Sequence, residues 1–415
     1  MVDLFLGALS TDDGDSGKTS VDAGRGWPLN TACRYRLFLT LTVLLAGVAV
    51  VLADFLARQA YVKIFSRPHG RIAHPIYDHG FSPNTTWSDK YGPYEVPYFS
   101  NSLGFRDGRI REVPLDSGRP RVILIGDSFT DGVGVAWEET FAGHLEKRLD
   151  AQGVDVLNAG CNSYTPILER IKLRYWIGER GLRVDRVILF LDLSDVKDEQ
   201  FYEEDKQGRA RLIPYGPFAA STRWGTKVEE WSEMLENLIE PNFVVLGAIS
   251  RNLKIWVRKL ARQELGKRGL FTNQAPPRWI LEWEEYEGPE RPVIEAGIQK
   301  LKANIGELAR YLRERGIPLT LVVYPYPFHV VEGRADRAIQ KIWSTWCAAN
   351  GIDFIDLFPE FVGIGSGSET VKTYYLEGDC HWNAKGHERV AEALLKNPEK
   401  ILPFRSKDAK AAARP

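Results

Sequence analysis

The feature that most constrains this chain is an apolar run that stops abruptly at Gly-Asp-Ser. Val122, Ile123, Leu124 and Ile125 lead straight into Gly126-Asp127-Ser128, a short polar segment reaches Gly134, and a helical pattern runs from Glu139 to Leu149. Strand, tight turn and helix in that order form the unit that builds a parallel α/β sheet. Open sheets of this type hold their ligands outside the carboxyl ends of the strands, where such a turn lies. A serine there has an exposed hydroxyl and a free backbone N–H at a helix N-terminus, which suits a developing negative charge. Alone the tripeptide is weak, because Gly, Asp and Ser are ordinary turn residues.

Its chemical partner lies far downstream, at Gly378-Asp379-Cys380-His381-Trp382-Asn383, just before an apolar-periodic helix. A carboxylate two residues before a histidine, in a turn or extended loop, lies on the same side of the backbone as the ring. Asp379 is then placed to accept from one imidazole nitrogen of His381 while the other faces a serine hydroxyl. A nucleophile at the first strand's end and a base before the last helix can meet across the top of one sheet. Ser128, His381 and Asp379 together are far more specific than either half. His387 is the second-choice base, since its spacing carries it onto the helix.

In these blocks the chain resembles the SGNH (GDSL-like) hydrolases and acyltransferases, of the bacterial membrane-anchored type. The first family block matches Gly126-Asp127-Ser128 and implies Ser128 as nucleophile, with Asp127 in support. The last block matches Asp379 and His381, here as Asp-x-His where Asp-x-x-His is usual. This shorter form followed by Trp resembles the branch that O-acetylates exopolysaccharides. The second block corresponds to Asn158-Ala159-Gly160-Cys161-Asn162-Ser163-Tyr164, with Gly160 and Asn162 in support. Ser163 falls on the family's oxyanion-hole Gly, and a backbone N–H survives any side chain except proline. The third block's Asn becomes Ser194 in Leu193-Ser194-Asp195, a donor on a shorter arm. The implied oxyanion hole is therefore Ser128, Ser163 and Ser194; loss of one good donor costs roughly 3–4 kcal/mol. The resemblance covers about residues 95–200 and 295–400.

Alternating patterns extend the sheet. Strands are expected over 121–126, 154–158, 187–191, 319–324 and 353–355, with helices over 138–151, 166–181, 292–315, 335–349 and 384–396. Such repetition gives parallel strands with right-handed crossovers. The expected fold is a flavodoxin-like, three-layer α/β/α SGNH domain over residues 121–405, with a helical insertion at 198–291. That insertion holds Trp224, Trp231, Trp256, Trp279 and Trp283, a basic amphipathic stretch from Arg251 to Arg268, and acidic Glu282, Glu284, Glu285 and Glu287. It reads either as a cap over the site or as an interfacial helix on anionic lipid.

Residues 1–33 have the composition of a disordered cytoplasmic tail. Leu37 to Ala53 is a charge-free apolar run, at the short end for a membrane span, closed by Asp54. Arg25, Arg34 and Arg36 precede it, so the positive-inside rule leaves the N-terminus in the cytoplasm. Residues 34–57 are expected to be a single-pass signal-anchor in the inner membrane, with the catalytic domain in the periplasm. Residues 58–120 read as an ordered lead-in packed on the core. Its His69, His74 and His79 fit no helical face and read as loop histidines, so no metal is expected.

Net charge is −1, and nothing global argues for nucleic acid. Cys33, Cys161, Cys347 and Cys380 have no metal-type spacing. Cys161 and Cys380 both fall in site loops, where an extracytoplasmic location would permit a disulfide. No phosphate loop or dinucleotide fingerprint precedes a helix, so no cofactor is expected.

The chemistry expected is serine ester hydrolysis on O-acyl, chiefly acetyl, esters of carbohydrate or cell-envelope substrates. Water resolving the acyl-enzyme makes an esterase. A sugar hydroxyl resolving it makes an O-acyltransferase for an exopolysaccharide or cell-wall glycan, fed by a membrane-bound acyltransferase partner. The third reading is a non-catalytic, glycan-binding descendant.

Overall fold

The computed structural model describes residues 31–65, 70–91, 93–213, 291–333 and 338–403. The insertion's tryptophans, its basic and acidic stretches, and His69 lie outside these residues. The chain enters through a 35-residue helix, α1 (Thr31–Phe65). At 1.5 Å per residue it is about 50 Å long, more than the roughly 30 Å of a bilayer's hydrocarbon core. Its Cys33–Ala57 segment is long and apolar enough to cross a membrane, and its large side chains, such as Phe38, Leu44 and Leu45, are exposed.

Two short strands follow, β1 (Arg71–His74) and β2 (Asp78–Phe81), paired antiparallel. Next come β3 (Thr86–Tyr91), β4 (Tyr94–Ser100) and β5 (Arg106–Asp107). The parallel strands are β6 (Arg121–Ile125), β7 (Asp155–Asn158), β8 (Arg186–Leu191), β11 (Leu319–Val323) and β12 (Asp353–Asp356). A small hairpin, β9 (Tyr202–Glu204) and β10 (Ala210–Leu212), precedes the undescribed part of the insertion. Every residue of β6, β8 and β11 is buried, as continuous Val, Ile and Leu runs require in a sheet covered on both faces.

The principal sheet has the order β12-β11-β8-β6-β7-β5-β4-β3. Its parallel part is the doubly wound, flavodoxin-like order, with the switch point between β6 and β8. Helix α2 (Ser128–Asp131) starts right after β6; α3 (Phe141–Asp150) links β6 to β7, and α4 (Pro166–Leu173) links β7 to β8. These two crossovers run in opposite directions, so their common right-handedness puts α3 and α4 on opposite faces. Farther on come α5 (Asp195–Asp198), α6 (Arg291–Arg313), α7 (Pro327–Glu332), α8 (Ala338–Asn350), α9 (Phe358–Phe361), α10 (Gly367–Tyr374) and α11 (Ala384–Leu395). Helices α4 and α6 pack together, as do α3 and α11, which completes the three layers.

The expected strands and helices fall within a few residues of the observed ones, but the lead-in does more than pack on the core. β5, β4 and β3 join the sheet antiparallel beside β7, so it is parallel only over five of its strands. Two properties hide them in sequence. β3 and β4 are only partly buried, and Pro97 sits inside β4, where a proline argues against strand.

Candidate active site

Gly126 ends the apolar strand because nothing larger fits: a Cβ there would collide with Thr130 Oγ1 and sit 3.0 Å from Phe190 Cβ. Asp127 caps α2, its Oδ1 accepting from Phe129 N at 3.0 Å. It also accepts from Tyr324 OH at 3.3 Å, and its Oδ2 lies 3.3 Å from Ser128 Oγ, whose one proton points to His381 instead. Burial, then the nearby Asp192, pushes the Asp127 carboxyl well above the usual carboxylate range. Ser128 is thereby fixed as the first residue of α2, buried, at the switch point of the sheet.

His381 Nε2 lies 2.7 Å from Ser128 Oγ, and its Nδ1 lies 2.5 Å from Asp379 Oδ1. The same Asp379 oxygen accepts the His381 backbone N–H at 2.9 Å, which the Asp-x-His spacing makes possible. A carboxylate only accepts, so it selects the Nδ1–H tautomer and leaves Nε2 to take a proton from Ser128. Burial opposes the charge on Asp379, but the bonds from the His381 ring and backbone hold it below the usual range. Leu376 N donates to His381 O at 2.9 Å, and a Tyr375–Trp382 bridge closes the loop. Trp382 is fully buried, edge-on to Phe129 at 4.8 Å, and anchors the loop under the nucleophile's helix.

Sequence reasoning missed Tyr91. The last residue of β3, its hydroxyl donates to Asp379 Oδ2 at 3.2 Å and stands 3.0 Å from His381 Nδ1. Burial and the Asp379 charge raise this phenol, so it stays protonated and can donate. Tyr94 OH accepts from Glu377 N at 3.1 Å, so the two lead-in tyrosines grip the histidine loop. The available signal was a Gly-Pro turn flanked by tyrosines, Tyr91-Gly92-Pro93-Tyr94.

The second block lies along α2. Gly160 has no room for a side chain, since a Cβ would come 2.7 Å from Thr130 Cγ2. Asn158 ties the two segments, donating to Thr130 O at 2.7 Å and accepting from Gly160 N at 3.0 Å. Asn162 N donates to Asp131 Oδ2 at 3.3 Å. Ser163 is exposed and has φ +67°, a left-handed conformation that glycine adopts without cost. In the third block Ser194 Oγ donates to Asp192 Oδ2 at 2.7 Å, an oxygen that also accepts from Tyr326 OH at 2.7 Å. A hydroxyl has one proton, so Ser194 donates elsewhere only after releasing Asp192.

Cys161 and Cys380 do not form the disulfide their loop positions allowed; both are free thiols. Burial, then Asp192 and Asp379, pushes the Cys380 thiol far up, so beside His381 it is no rival nucleophile. Among the described residues Asp379, Cys380 and His381 bring metal-ligand atoms within 4.8 Å of one another, but Asp379 and His381 already bond each other. His387 is buried, accepts from Phe141 N at 3.3 Å, and is kept neutral by burial.

Residues 124–389 match the GDSL-like Lipase/Acylhydrolase family. The chain belongs to this family. It is a GDSL-like hydrolase acting on ester bonds, which leaves the non-catalytic reading without support. No curated protein sequence matches it. Solved structures similar to this GDSL-like chain include TesA (13% identity, TM-score 0.36, 68% of this chain and 99% of that one). Another is the lipase/acylhydrolase from Enterococcus faecalis (12%, 0.35, 69% and 100%). A third is a catalytic mutant of Axe2, an acetylxylan esterase from Geobacillus stearothermophilus (15%, 0.34, 70% and 98%). The lead-in strands that supply Tyr91 and Tyr94 precede the family match.

Proposed function

We propose that this GDSL-like hydrolase cleaves O-acyl, chiefly acetyl, esters of carbohydrate or cell-envelope substrates by a Ser128–His381–Asp379 mechanism. The observation that carries the proposal is the unbroken contact line from Ser128 Oγ through His381 Nε2 and Nδ1 to Asp379. His381 takes the Ser128 proton as Oγ attacks the acyl carbonyl; Asp379 holds the ring and steadies the imidazolium. The tetrahedral oxyanion is met by the N–H groups of Ser128 and Ser163, with Ser194 joining once it turns from Asp192. His381 then protonates the departing sugar oxygen, and water, activated by the same ring, frees the acid.

A second reading shares the acyl-enzyme and differs only in what resolves it. If a glycan hydroxyl takes the place of water, the protein is an O-acyltransferase that receives acyl groups from a membrane-bound partner. The apolar Cys33–Ala57 segment favours it, because an anchor would hold the site beside such a partner. In this arrangement α1 spans the inner membrane and the hydrolase domain lies in the periplasm.

The test is p-nitrophenyl acetate turnover by the detergent-solubilised full chain, wild type beside Ser128→Ala. Release that disappears in the variant is the expected result; equal release from both would end the proposal. Addition of a glycan acceptor then separates the readings, since transfer lowers free acetate while nitrophenol release continues.

A further inference from the structure

We infer that His79, held by Asp78, is a positioning residue that orients the Asn162–Ser163 peptide for the ester reaction. The inference rests on the oxyanion role proposed for Ser163. His79 belongs to β2, in the lead-in that precedes the family match, and reaches the second block across 83 positions of sequence. Its Nε2 lies 2.8 Å from Asn162 O, and its Nδ1 lies 2.6 Å from Asp78 Oδ2.

Both partners are acceptors, so both ring nitrogens must carry protons and the ring is an imidazolium. Burial disfavours that cation, but Asp78, Cys161 and the Asn162 carbonyl outweigh it and lift the pKa to about 10. The ring itself is clamped. Tyr164 stacks edge-on at 4.9 Å, and its hydroxyl donates to His79 O at 2.5 Å.

The consequence follows from the peptide bond. Asn162 C=O and Ser163 N–H are the two ends of one planar unit, and no cis peptide occurs among the described residues. In a trans unit the N–H points opposite to the C=O. Tying the carbonyl to His79 therefore fixes where the Ser163 N–H aims. On its other side Asn162 is tied by its own N–H to Asp131 on the nucleophile's helix. A cation donating to the carbonyl also polarises the unit and strengthens its N–H as a donor.

Backbone conformation supplies an independent observation. Only three described non-glycine residues have left-handed φ, and two stand at the ends of this link: Asp78 at +71° and Ser163 at +67°. L-residues avoid that region, and such outliers persist where surrounding structure enforces them. Here the enforced geometry presents Asp78 to the ring and turns the chain at Ser163.

The role acts on the transition state, so its signature is in kcat. With the full chain and p-nitrophenyl acetate, His79→Leu is expected to lower kcat about tenfold to a hundredfold while KM stays within about twofold. His79→Gln retains a donor where Nε2 lies and is expected to recover most of the loss. Asp78→Asn should fall between the two. A kcat for His79→Leu within twofold of wild type overturns the inference, as does equal loss in the Leu and Gln variants with matched losses of Tm. A direct readout guards against a misfolded Leu variant: 15N chemical shifts of the wild-type ring should show both nitrogens protonated at pH 8, and a neutral ring there also overturns it. An inert wild type, or an active Ser128→Ala, would instead bring down the proposed function and this role with it.

Discussion

The Tyr91 hydroxyl donates to Asp379 Oδ2 at 3.2 Å, from a strand 288 positions earlier in the chain. Asp379 uses its other oxygen on His381, so Tyr91 steadies the carboxylate that steadies the base. Tyr91→Phe keeps the ring packing, edge-on to His381 at 5.2 Å, and removes only this donor. A hydrogen bond to a charged group contributes roughly 1.5–3 kcal/mol when buried, less at this partly exposed site. We expect kcat/KM to fall about three- to tenfold. The loss should fall on kcat, because Asp379 loses a bond that favours the charged form that steadies the imidazolium. A kcat within about twofold of wild type would make Tyr91 a packing residue only.

What was legible in the sequence was what is local. Ser128 is announced by its own strand and turn, and Asp379 and His381 announce each other by spacing. β6, β8 and β11 announce themselves as continuous apolar runs. Tyr91 and His79 were hidden because their function comes from register: each is an ordinary residue in a short, half-buried strand, and only the sheet brings it to the site. Ser163 was placed by spacing, but the left-handed φ that explains a family glycine there is a backbone property. Ser194 was matched to a donor position, while its engagement by Asp192 depended on a side chain that the motif does not include.

Asp379 also couples the site to acid stability. Its folded pKa lies below the unfolded value of about 3.9, so its stabilising contribution is present above that value and is lost as pH falls through the folded pKa. The Tm gap between wild type and Asp379→Asn should therefore be constant above about pH 5 and shrink below about pH 4. Thermal melts from pH 3 to 7 measure it. A gap that widens in acid would mean that the carboxyl is not favoured as the anion in the fold.

Glu199 carries the opposite sign. It is fully buried, accepting from Asn304 Nδ2 at 2.6 Å and from Ile167 N at 3.1 Å. Burial raises its pKa to about 7, against bonds from Ile167, Thr165 and Asn304 and the charge of Lys300. A raised folded pKa means stability that is complete below the unfolded value of about 4.3 and is lost as pH rises through about 7. Glu199→Gln cannot ionise, so its stability should lack this slope whatever its offset. Chemical denaturation at pH 5 and pH 8 should show wild type losing ground relative to the variant.

Ser163 separates the backbone donor from the side chain that happens to bear it. Its φ of +67° costs an L-residue roughly 1–2 kcal/mol, and glycine's larger unfolded-state entropy returns part of that. Ser163→Gly should therefore stabilise the protein by about 0.5–1 kcal/mol, read as a Tm rise, and keep the N–H that the oxyanion needs. Its kcat should stay within about twofold of wild type, since only an exposed hydroxyl is lost. Ser163→Ala keeps both the strain and the N–H, so it should match wild type in rate without the gain in Tm. If Ser163→Ala alone cut kcat about a hundredfold, the donor would be the Ser163 hydroxyl, not its backbone N–H, since a lost oxyanion donor has an effect of that size.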